Sequence, residues 1–465
     1  MKVPVSGAKL LRMASLVVAA CLAFQTSASP SIAETRKSTG PALIRDAEIE
    51  GLLRLYSKAI FKSAGLNPGS VRVYVIADRR INAFVAGGQR IFVHTGLFTK
   101  TRNPSEVIGV LAHETGHIAG GHLAKLKSEL EAASVQNVIG MLVGAAAMVG
   151  GVAAGSNEAA KAGQGVIMGS QGLAQRNLLS YQRSMEASAD QAALRYLRAS
   201  GQSAKGMLSL FERMANESLA STQNIDPYLQ SHPMPLERIR NLERAAKDTA
   251  DYNTPDSAAL QLRHDLVKAK LAGFMDTPQL VFQRYPKSDN SLPSRYARAI
   301  AMFRRGDLKN ALTLIDSLTT ELPENPYFWE LKAQALIEAG QFSKAVPAIR
   351  KARSLLPNNG LLQIMEAESL LGLADKASIE ASLRILQLAR KTEPDSPAVY
   401  KLSAQAYGLK GDVPKAELAT AEYAWLSGDR ELAREKATNA VRILKRGTPE
   451  WLRASDLLAA STKKR

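Results

Sequence analysis

Apolar residues follow two different periods in the first hundred positions. Residues 41–66 carry them at helical spacing, and the stretch ends at Gly65 with Pro68 just beyond it. Over 71–98 apolar and polar positions alternate, and Gly87-Gly88 separates the runs NAFVA and RIFVH. The pattern therefore predicts one helix, then a strand and a β-hairpin.

A second helix is predicted to begin at Asn103 or Ser105, either of which can cap its first turn. Its apolar run VIGVLAHETGHIAGGHLAKL (107–126) carries three of the chain's six histidines. Further helical stretches follow at 175–198 and 203–218. If the helix over 107–126 is buried, its histidines need polar or ionic partners.

A segment without charged residues, 132–157, lies between these helices. Its centre, 138–155, is long enough to cross a bilayer, but it consists mostly of Gly and Ala. Two interpretations stay open: a buried helical hairpin, or a mobile flap near the functional site that touches a membrane or a substrate. The glycine-rich stretch 163–172 that follows is predicted not to form a rigid helix.

The C-terminal half repeats with a period of 34 residues. One copy consists of Ala299, Ala301, Gly306, Ala311 and Pro323, and the next of Ala333, Ala335, Gly340, Ala345 and Pro357. Small residues in a first helix, Gly at the turn and Pro after a second helix are typical of tetratricopeptide repeats, which stack into an α-solenoid. The predicted fold is mainly α. An N-terminal α+β domain (34–250) contains a small sheet, and a polar stretch separates it from a repeat domain (255–465).

The N-terminus has the layout of a secretory signal peptide. Three basic residues precede an apolar run over 13–24, which is too short for a stable membrane span. Residues 1–28 form the predicted signal, with cleavage after Ala28 or Ala33. A lipoprotein box that ends at Cys21 is an alternative, although the apolar run continues past it. Cys21 is the only cysteine, so ordinary processing leaves no disulfide.

Length and charge narrow the class of protein further. The chain has 465 residues, 46% of them hydrophobic, and a formal net charge of +17. Such a surface favours anionic membranes or acidic partners, and it equally serves solubility. The sequence contains no zinc-finger, helix-turn-helix or RNA-binding signature, and export argues against nucleic acid. We expect an exported globular protein that does not bind nucleic acid.

The motif HETGH places His113 and His117 four residues apart on one helical face. Two neutral imidazoles at this spacing can bind one zinc ion. Glu114 lies at the flank, where it can take a proton from a water molecule activated by zinc as the water attacks a peptide carbonyl. The motif alone is short and occurs by chance, but its apolar flanks bury both histidines. We therefore predict a zinc peptidase with one Zn²⁺ per chain.

The third zinc ligand is expected from SMEASADQAAL (184–194), because no further histidine follows at short spacing. Glu186 and Asp190 are four residues apart on a helix whose other residues include Ala, Met and Leu. Carboxylates buried in such a layer are costly unless they are paired or bound to metal. Glu186 as a ligand and Asp190 as acceptor of a ligand histidine's N–H would satisfy both. The alternative is a solvated helix face.

Spacing gives the other histidines no ligand role. His122 follows His113 by nine residues, which places it about 180° away on a continuous helix. His94 and His264 belong to no motif. By itself, His232 in the proline-broken loop 224–239 is predicted to make ordinary loop contacts.

HETGH followed by EASAD resembles the gluzincin family that includes the CAAX prenyl endopeptidase and HtpX. The export signal and the C-terminal repeats are similar to periplasmic members of this family. The resemblance implies a zincin-type metalloprotease domain whose zinc is bound by His113, His117 and Glu186. It also implies that Glu114 is the general base and that Asp190 orients a histidine.

Two other segments carry the same resemblance. DRRINAF (78–84) matches the segment ahead of the metal-binding helix, and SHPMPLER (231–238) matches a loop whose histidine can occupy zinc's open position and hold the enzyme off. The resemblance therefore assigns that switch to His232. It also implies an edge strand to which a substrate backbone adds, formed by Asn82, Ala83, Phe84, Val85 and Ala86.

The implied function is quality control and assembly of outer-membrane proteins in the periplasm, by proteolysis and chaperone-like activity. Its implied partners are unfolded or stalled β-barrel proteins, the assembly machinery docked on the repeats, and a membrane surface at 138–155. The alternative is a tetratricopeptide scaffold or chaperone with a structural metal and little proteolysis. An open metal position and Glu114 favour the enzyme, because structural zinc sites are normally closed.

Overall fold

The computed structural model describes residues 42–131, 134, 141, 157–220, 227–247, 249 and 251–462. It contains two compact units, one of which is Pro41–Ala301, while the described part of the other begins at Met302. The predicted signal peptide, with Cys21, lies outside the described residues. Of the segment 138–155, only Met141 is described.

A four-stranded sheet lies in the first unit. Its strands are β1 (Leu43–Ile44), β2 (Arg72–Ile76), β3 (Ala83–Ala86) and β4 (Arg90–His94). They are ordered β1-β2-β4-β3, with β2 and β4 parallel and the other pairs antiparallel. The hairpin predicted at Gly87-Gly88 is confirmed, and both glycines have positive φ (58° and 93°). Because β3 pairs only with β4 in this order, it forms an edge of the sheet.

Ten helices are described in or at the end of the first unit, in addition to a helical stretch over 122–131. They are α1 (Ala47–Ser63), α2 (Thr95–Lys100), α3 (Pro104–Ala119), α4 (Asn157–Ala199), α5 (Lys205–Ala220), α6 (Pro227–Ser231), α7 (Leu236–Lys247), α8 (Ala258–Met275), α9 (Pro278–Arg284) and α10 (Leu292–Arg304). The cap of α3 is Asn103, whose side chain accepts the N–H of Glu106. This settles the choice between the two caps that the sequence offered.

The glycine-rich stretch 163–172, which was predicted not to form a rigid helix, is helical. It lies inside α4, which runs for 43 residues. Each Gly costs about 1 kcal/mol relative to Ala in a helix. A helix that already exists on both sides gains a hydrogen bond for every residue added, and no new nucleation is needed. Packing of the C-terminal part of α4 on α3 anchors the whole element.

The core of the first unit fills the space between the sheet, α1, α3 and α5. Its largest fully buried side chains include Tyr56, Phe98, Phe211 and Ile60. Helix α8 joins this core, because the hydroxyl of Tyr56 lies 3.1 Å from Nδ1 of the buried His264. The polar stretch 248–257, proposed from the sequence as a boundary, therefore lies inside this compact unit. The predicted domain ranges, 34–250 and 255–465, stay a prediction.

Helices α3 and α4 approach each other at backbone distance. A Cβ on Gly116 would lie 2.8 Å from the carbonyl oxygen of Ala189 and 2.9 Å from its Cα. Near its N-terminus α3 is tied to α5 by the buried Glu106, whose two carboxylate oxygens each lie 2.9 Å from the guanidinium of Arg213. Helix α3 is thus fixed between two neighbours.

The described part of the second unit is a run of antiparallel helix pairs. Its helices are α11 (Leu308–Glu321), α12 (Pro326–Glu338), α13 (Phe342–Leu355), α14 (Gly360–Leu371), α15 (Lys376–Thr392), α16 (Pro397–Lys410), α17 (Val413–Leu426), α18 (Arg430–Ile443) and α19 (Pro449–Thr462). Gly340, Gly411 and Gly428 turn the chain with positive φ, as the repeat pattern requires. The predicted helical repeat region is confirmed, and its assignment as tetratricopeptide repeats stays a prediction. Among the helices described in either unit, none has the length and apolar character needed to cross a membrane.

Replacing Gly116 by Ala tests the contact between α3 and α4. The added methyl group must push the helices apart, so we expect the free energy of unfolding of the first unit to fall by about 1–3 kcal/mol. Circular dichroism during urea unfolding follows both units. The fluorescence of the three tryptophans, Trp329, Trp425 and Trp451, reports on the second unit alone.

Gly408→Ala is the matched control, because this helical glycine has nothing within 4 Å of an added Cβ. It should leave the first unit unchanged and stabilise the second by about 0.4–1 kcal/mol. An unaltered first-unit transition in Gly116→Ala would show that the two helices do not touch as described.

Candidate active site

Four buried or half-buried side chains from three elements converge on one point. His113 and His117 come from α3, Glu186 from α4, and His232 follows α6. One nitrogen or oxygen of each lies within 4.8 Å of the others. Within the part of the chain that the structure describes, this is the one group of three or more such residues that could hold a metal ion.

The helix geometry explains three of the four positions. The histidines are one turn apart on α3, and their Nε2 atoms lie 3.0 Å from each other. Glu186 places its carboxylate oxygens 3.2 Å from Nε2 of His113 and 3.3 Å from Nε2 of His117. It reaches them because α4 touches α3 through Ala189, three residues away from Glu186 in sequence. The structure thus brings together the three ligands that the sequence predicted.

His232 lies inside the same cluster. Its Nδ1 is 3.0 Å from Oε1 of Glu186, and its Nε2 is 3.5 Å from Oε1 of Glu114. Tyr228 supports the ring from α6, with ring centroids 4.7 Å apart, and its carbonyl accepts the backbone N–H of His232 at 2.8 Å. The loop histidine singled out by family resemblance is therefore a neighbour of the predicted ligands and the predicted base.

Asp190 contacts the far side of a histidine in the cluster. Its Oδ1 lies 2.9 Å from Nδ1 of His113, so Nε2 of the same ring faces the cluster. This is the contact that the spacing of Glu186 and Asp190 predicted. A carboxylate at this position fixes both the orientation and the tautomer of an imidazole.

Arg238 is one residue of the site that the sequence reasoning missed. Its guanidinium holds both oxygens of Asp190, at 2.5 and 2.7 Å, and Oε2 of Glu186 at 3.0 Å. It also donates to the carbonyl of Pro233 at 2.8 Å, which ties the loop of His232 to α4. The sequence did indicate a further cation, because two buried carboxylates one turn apart, Glu186 and Asp190, need more positive charge than two imidazoles supply.

The expectation that His122 faces away from the site is wrong. It assumed a continuous helix, but α3 ends at Ala119, and Gly121 has a φ of +64°. The chain turns back, and Nδ1 of His122 lies 3.0 Å from Nδ1 of His117. By contrast, His94 lies at the end of β4 with its Nδ1 3.6 Å from Asp78, and it belongs to a different part of the unit.

Burial and close charges shift the pKa values of the cluster in different directions. Burial disfavours protonation of His113, but its contacts with Asp190 and Glu186 outweigh burial and raise its pKa to about 9. Burial lowers the pKa of His117 to about 4. Burial also raises the pKa of Glu114, while contacts with histidines overcome burial and lower the pKa of Glu186. The carboxylates of the cluster thus favour nearby positive charge, which a bound cation can supply.

The residues present fit a divalent metal ion. Three imidazoles and one carboxylate are the donor set that zinc and similar ions take in proteins. Glu114, only 1% exposed, adjoins this set, and its Oε1 has no hydrogen-bond partner among the described residues. A buried carboxylate oxygen without a partner is costly. Its presence beside the donor set indicates that it faces a water or a substrate.

A cavity of about 1070 Å³ opens beside the cluster. Glu114 and His117 line it, as do Phe84 and Val85 of the edge strand β3. The predicted edge strand and the metal-binding candidates therefore share one cavity. Most of the remaining lining is apolar and includes Leu123, Leu126, Leu179, Met185 and Leu229.

The sequence model of peptidase family M48 matches residues 47–246, which include the whole cluster. These residues therefore resemble a peptidase M48 domain, and the match together with the buried cluster indicates a metalloprotease.

Among known proteins, the chain is similar to the beta-barrel assembly-enhancing protease of Yersinia pestis, with 25% identity over 407 residues, 84% of this chain and 78% of the relative. A putative protease of the same name from Vibrio cholerae serotype O1 is 29% identical over 263 residues, 55% of this chain and 52% of the relative. The Escherichia coli (strain K12) protease of that name is 22% identical over 292 residues, 61% and 57% of the two chains. The chain spans little more than half the length of the last two relatives.

Arg238→Gln tests whether the guanidinium stabilises the two carboxylates. Removing one partner of a buried ion pair leaves an uncompensated charge, so we expect the free energy of unfolding of the metal-free protein to fall by about 3–5 kcal/mol. Added Zn²⁺ should recover part of this loss, since a cation replaces the missing charge.

The matched control is Arg240→Gln, which changes an exposed arginine on the same helix. It should shift the free energy of unfolding by no more than about 0.5 kcal/mol. Equal effects of the two substitutions, in urea unfolding followed by circular dichroism, would rule out the proposed role of Arg238.

Proposed function

We propose that this chain is an exported zinc-dependent endopeptidase that removes stalled outer-membrane β-barrel proteins. The observation that carries the proposal is the buried carboxylate of Glu114 beside His113, His117 and Glu186, because its Oε1 accepts no hydrogen bond from any residue that the structure describes. The similar proteases of Yersinia pestis and Escherichia coli are named beta-barrel assembly-enhancing proteases, which supports the substrate class.

In this proposal His113, His117 and Glu186 hold one zinc ion per chain. When bound, zinc polarises the scissile carbonyl and lowers the pKa of the attacking water. Glu114 accepts the proton of that water and then gives it to the leaving amine. Burial raises the pKa of Glu114, so its carboxylate is a stronger base than an exposed one. Asp190 keeps the ring of His113 in place through Nδ1.

The edge strand supports an extended substrate. Residues 82–86 offer a strand edge next to the cavity that Glu114 lines. A β-strand that has not found its barrel neighbour presents unpaired N–H and C=O groups, and it can add to such an edge. Alternate side chains of a strand point to the same face, so the apolar ones can enter the apolar part of the cavity. Unassembled barrel strands fit both requirements.

The C-terminal helical repeats are the proposed docking surface for the barrel assembly machinery and the proposed source of chaperone-like binding. Stacked helix pairs form extended concave surfaces that suit protein partners. The signal-peptide pattern supports a periplasmic location, and contact of 138–155 with a membrane surface remains part of the proposal. Cys21 would serve as a lipid anchor only under the alternative processing.

His232 is proposed as an off-switch. Its Nδ1 and Nε2 lie between Glu186 and Glu114, so the ring occupies space that a substrate carbonyl and a water would need. As a further ligand of the ion, it would close the coordination sphere and make the site resemble a structural one. Displacement of the loop that carries it would open the site.

Glu114→Gln tests the mechanism. Loss of the general base should lower cleavage of casein, or of a misfolded barrel protein, by about 10²–10⁴-fold. Zinc per chain should equal that of the wild type, because the amide leaves the ligands intact. Undiminished proteolysis would contradict the mechanism and favour the scaffold with a structural metal. In that case, deletion of 255–465 and not Glu114→Gln should abolish function in cells.

His232→Ala tests the off-switch. Proteolysis should rise, because the ring no longer occupies the space next to Glu114. Zinc content is measured in parallel, and Ser231→Ala, an exposed neighbour on the same turn, is the matched control. Unchanged or reduced cleavage by His232→Ala at full zinc content would count against the switch.

A further inference from the structure

Two glycines fold His122 back onto the metal-binding cluster. Helix α3 ends at Ala119, and Gly121 adopts a φ of +64°, which lets the chain reverse. At Gly120 a side chain would collide with Nε2 of His122, so the absence of a Cβ makes room for the ring. His122 is 6% exposed as a result.

The two nitrogens of His117 have different neighbours. Its Nε2 lies 3.0 Å from Nε2 of His113 and 3.3 Å from Oε1 of Glu186, so it faces the cluster. Its Nδ1 lies 3.0 Å from Nδ1 of His122, with the two rings nearly perpendicular at 83°. The Nδ1 side of His117, which faces away from the cluster, is therefore held by the imidazole of His122.

Only one arrangement of protons in this contact permits metal binding. A neutral imidazole carries one N–H and one lone pair. If Nδ1 of His117 donates to Nδ1 of His122, the lone pair at Nε2 of His117 points at the cluster. If His122 donates instead, Nε2 of His117 carries a proton and cannot bind a cation.

We propose that His122 is a positioning residue that accepts the Nδ1–H of His117 and fixes the tautomer whose Nε2 binds the divalent ion. It does for His117 what Asp190 does for His113, with a neutral imidazole in place of a carboxylate. The proposal rests on the proposed function only in that an ion binds at this cluster. Partners on the far side of a ligand histidine typically contribute 10–100-fold in metal affinity.

A pair of amide substitutions separates positioning from packing. His122→Asn can place its carbonyl oxygen near the position of Nδ1, whereas His122→Gln places it one bond further out, near Nε2. We expect His122→Asn to bind Zn²⁺ at least about 10-fold more tightly than His122→Gln, in competition with a chromophoric chelator. The d–d spectrum of Co²⁺ in His122→Asn should match that of the wild type, and the spectrum of His122→Gln should differ.

A third variant leaves His122 chemically intact. Gly120 has a helical φ of −73°, so Gly120→Ala is compatible with the backbone, but its methyl group displaces the ring of His122. It should lower zinc affinity as His122→Gln does. Equal affinities in the Asn and Gln variants, or wild-type affinity in both His122→Gln and Gly120→Ala, would overturn the proposal.

These outcomes are independent of catalysis. If affinity falls in His122→Gln while Glu114→Gln still cleaves substrate, the positioning role stands and the proposed mechanism fails. If Glu114→Gln is inactive while all three variants bind zinc like the wild type, the proposed mechanism stands and the positioning role fails.

Discussion

The backbone contact between α3 and α4 is the constraint on which the site depends. Because Gly116 has no side chain, its helix lies against the backbone of Ala189, and the residues on either side of that contact face each other. His113 and His117 on one helix therefore meet Glu186 on the other at 3.2–3.3 Å. A bulkier residue at this crossing would separate the ligands, however well each helix formed.

Charge balance follows from that packing. Two carboxylates one turn apart on α4 are drawn into a buried layer, where isolated charges are costly. Arg238 neutralises them from the next segment of the chain and also holds the carbonyl of Pro233. The loop of His232 is therefore connected to the carboxylates through one guanidinium. The same residues that make a cation favourable at the centre also fix the loop proposed to regulate it.

The sequence predicted the parts of the site that depend on periodicity within one element. His113, His117, Glu186 and Asp190 follow from four-residue spacing, and the hairpin at Gly87-Gly88 from turn chemistry. Contacts that depend on where an element ends, or on a long reach between elements, were not predicted. His122 is the clearest case, because the adjacent glycines are a readable helix stop whose consequence is visible only in three dimensions. Arg238 is another, since no local pattern pairs it with residues 48 positions away. The helix over 163–172 was missed because the packing of the C-terminal part of α4 on α3 overrides local propensity.

X-ray absorption at the zinc edge, on protein purified with its native metal, identifies the atoms that bind the ion. We expect one zinc per chain, a nearest shell of nitrogen and oxygen, and the multiple-scattering signature of at least two imidazoles. Both the zinc and the signature should be lost together in His113→Ala, His117→Ala and Glu186→Gln. Zinc retained in these variants, or a shell of water oxygens without imidazole scattering, would contradict this expectation.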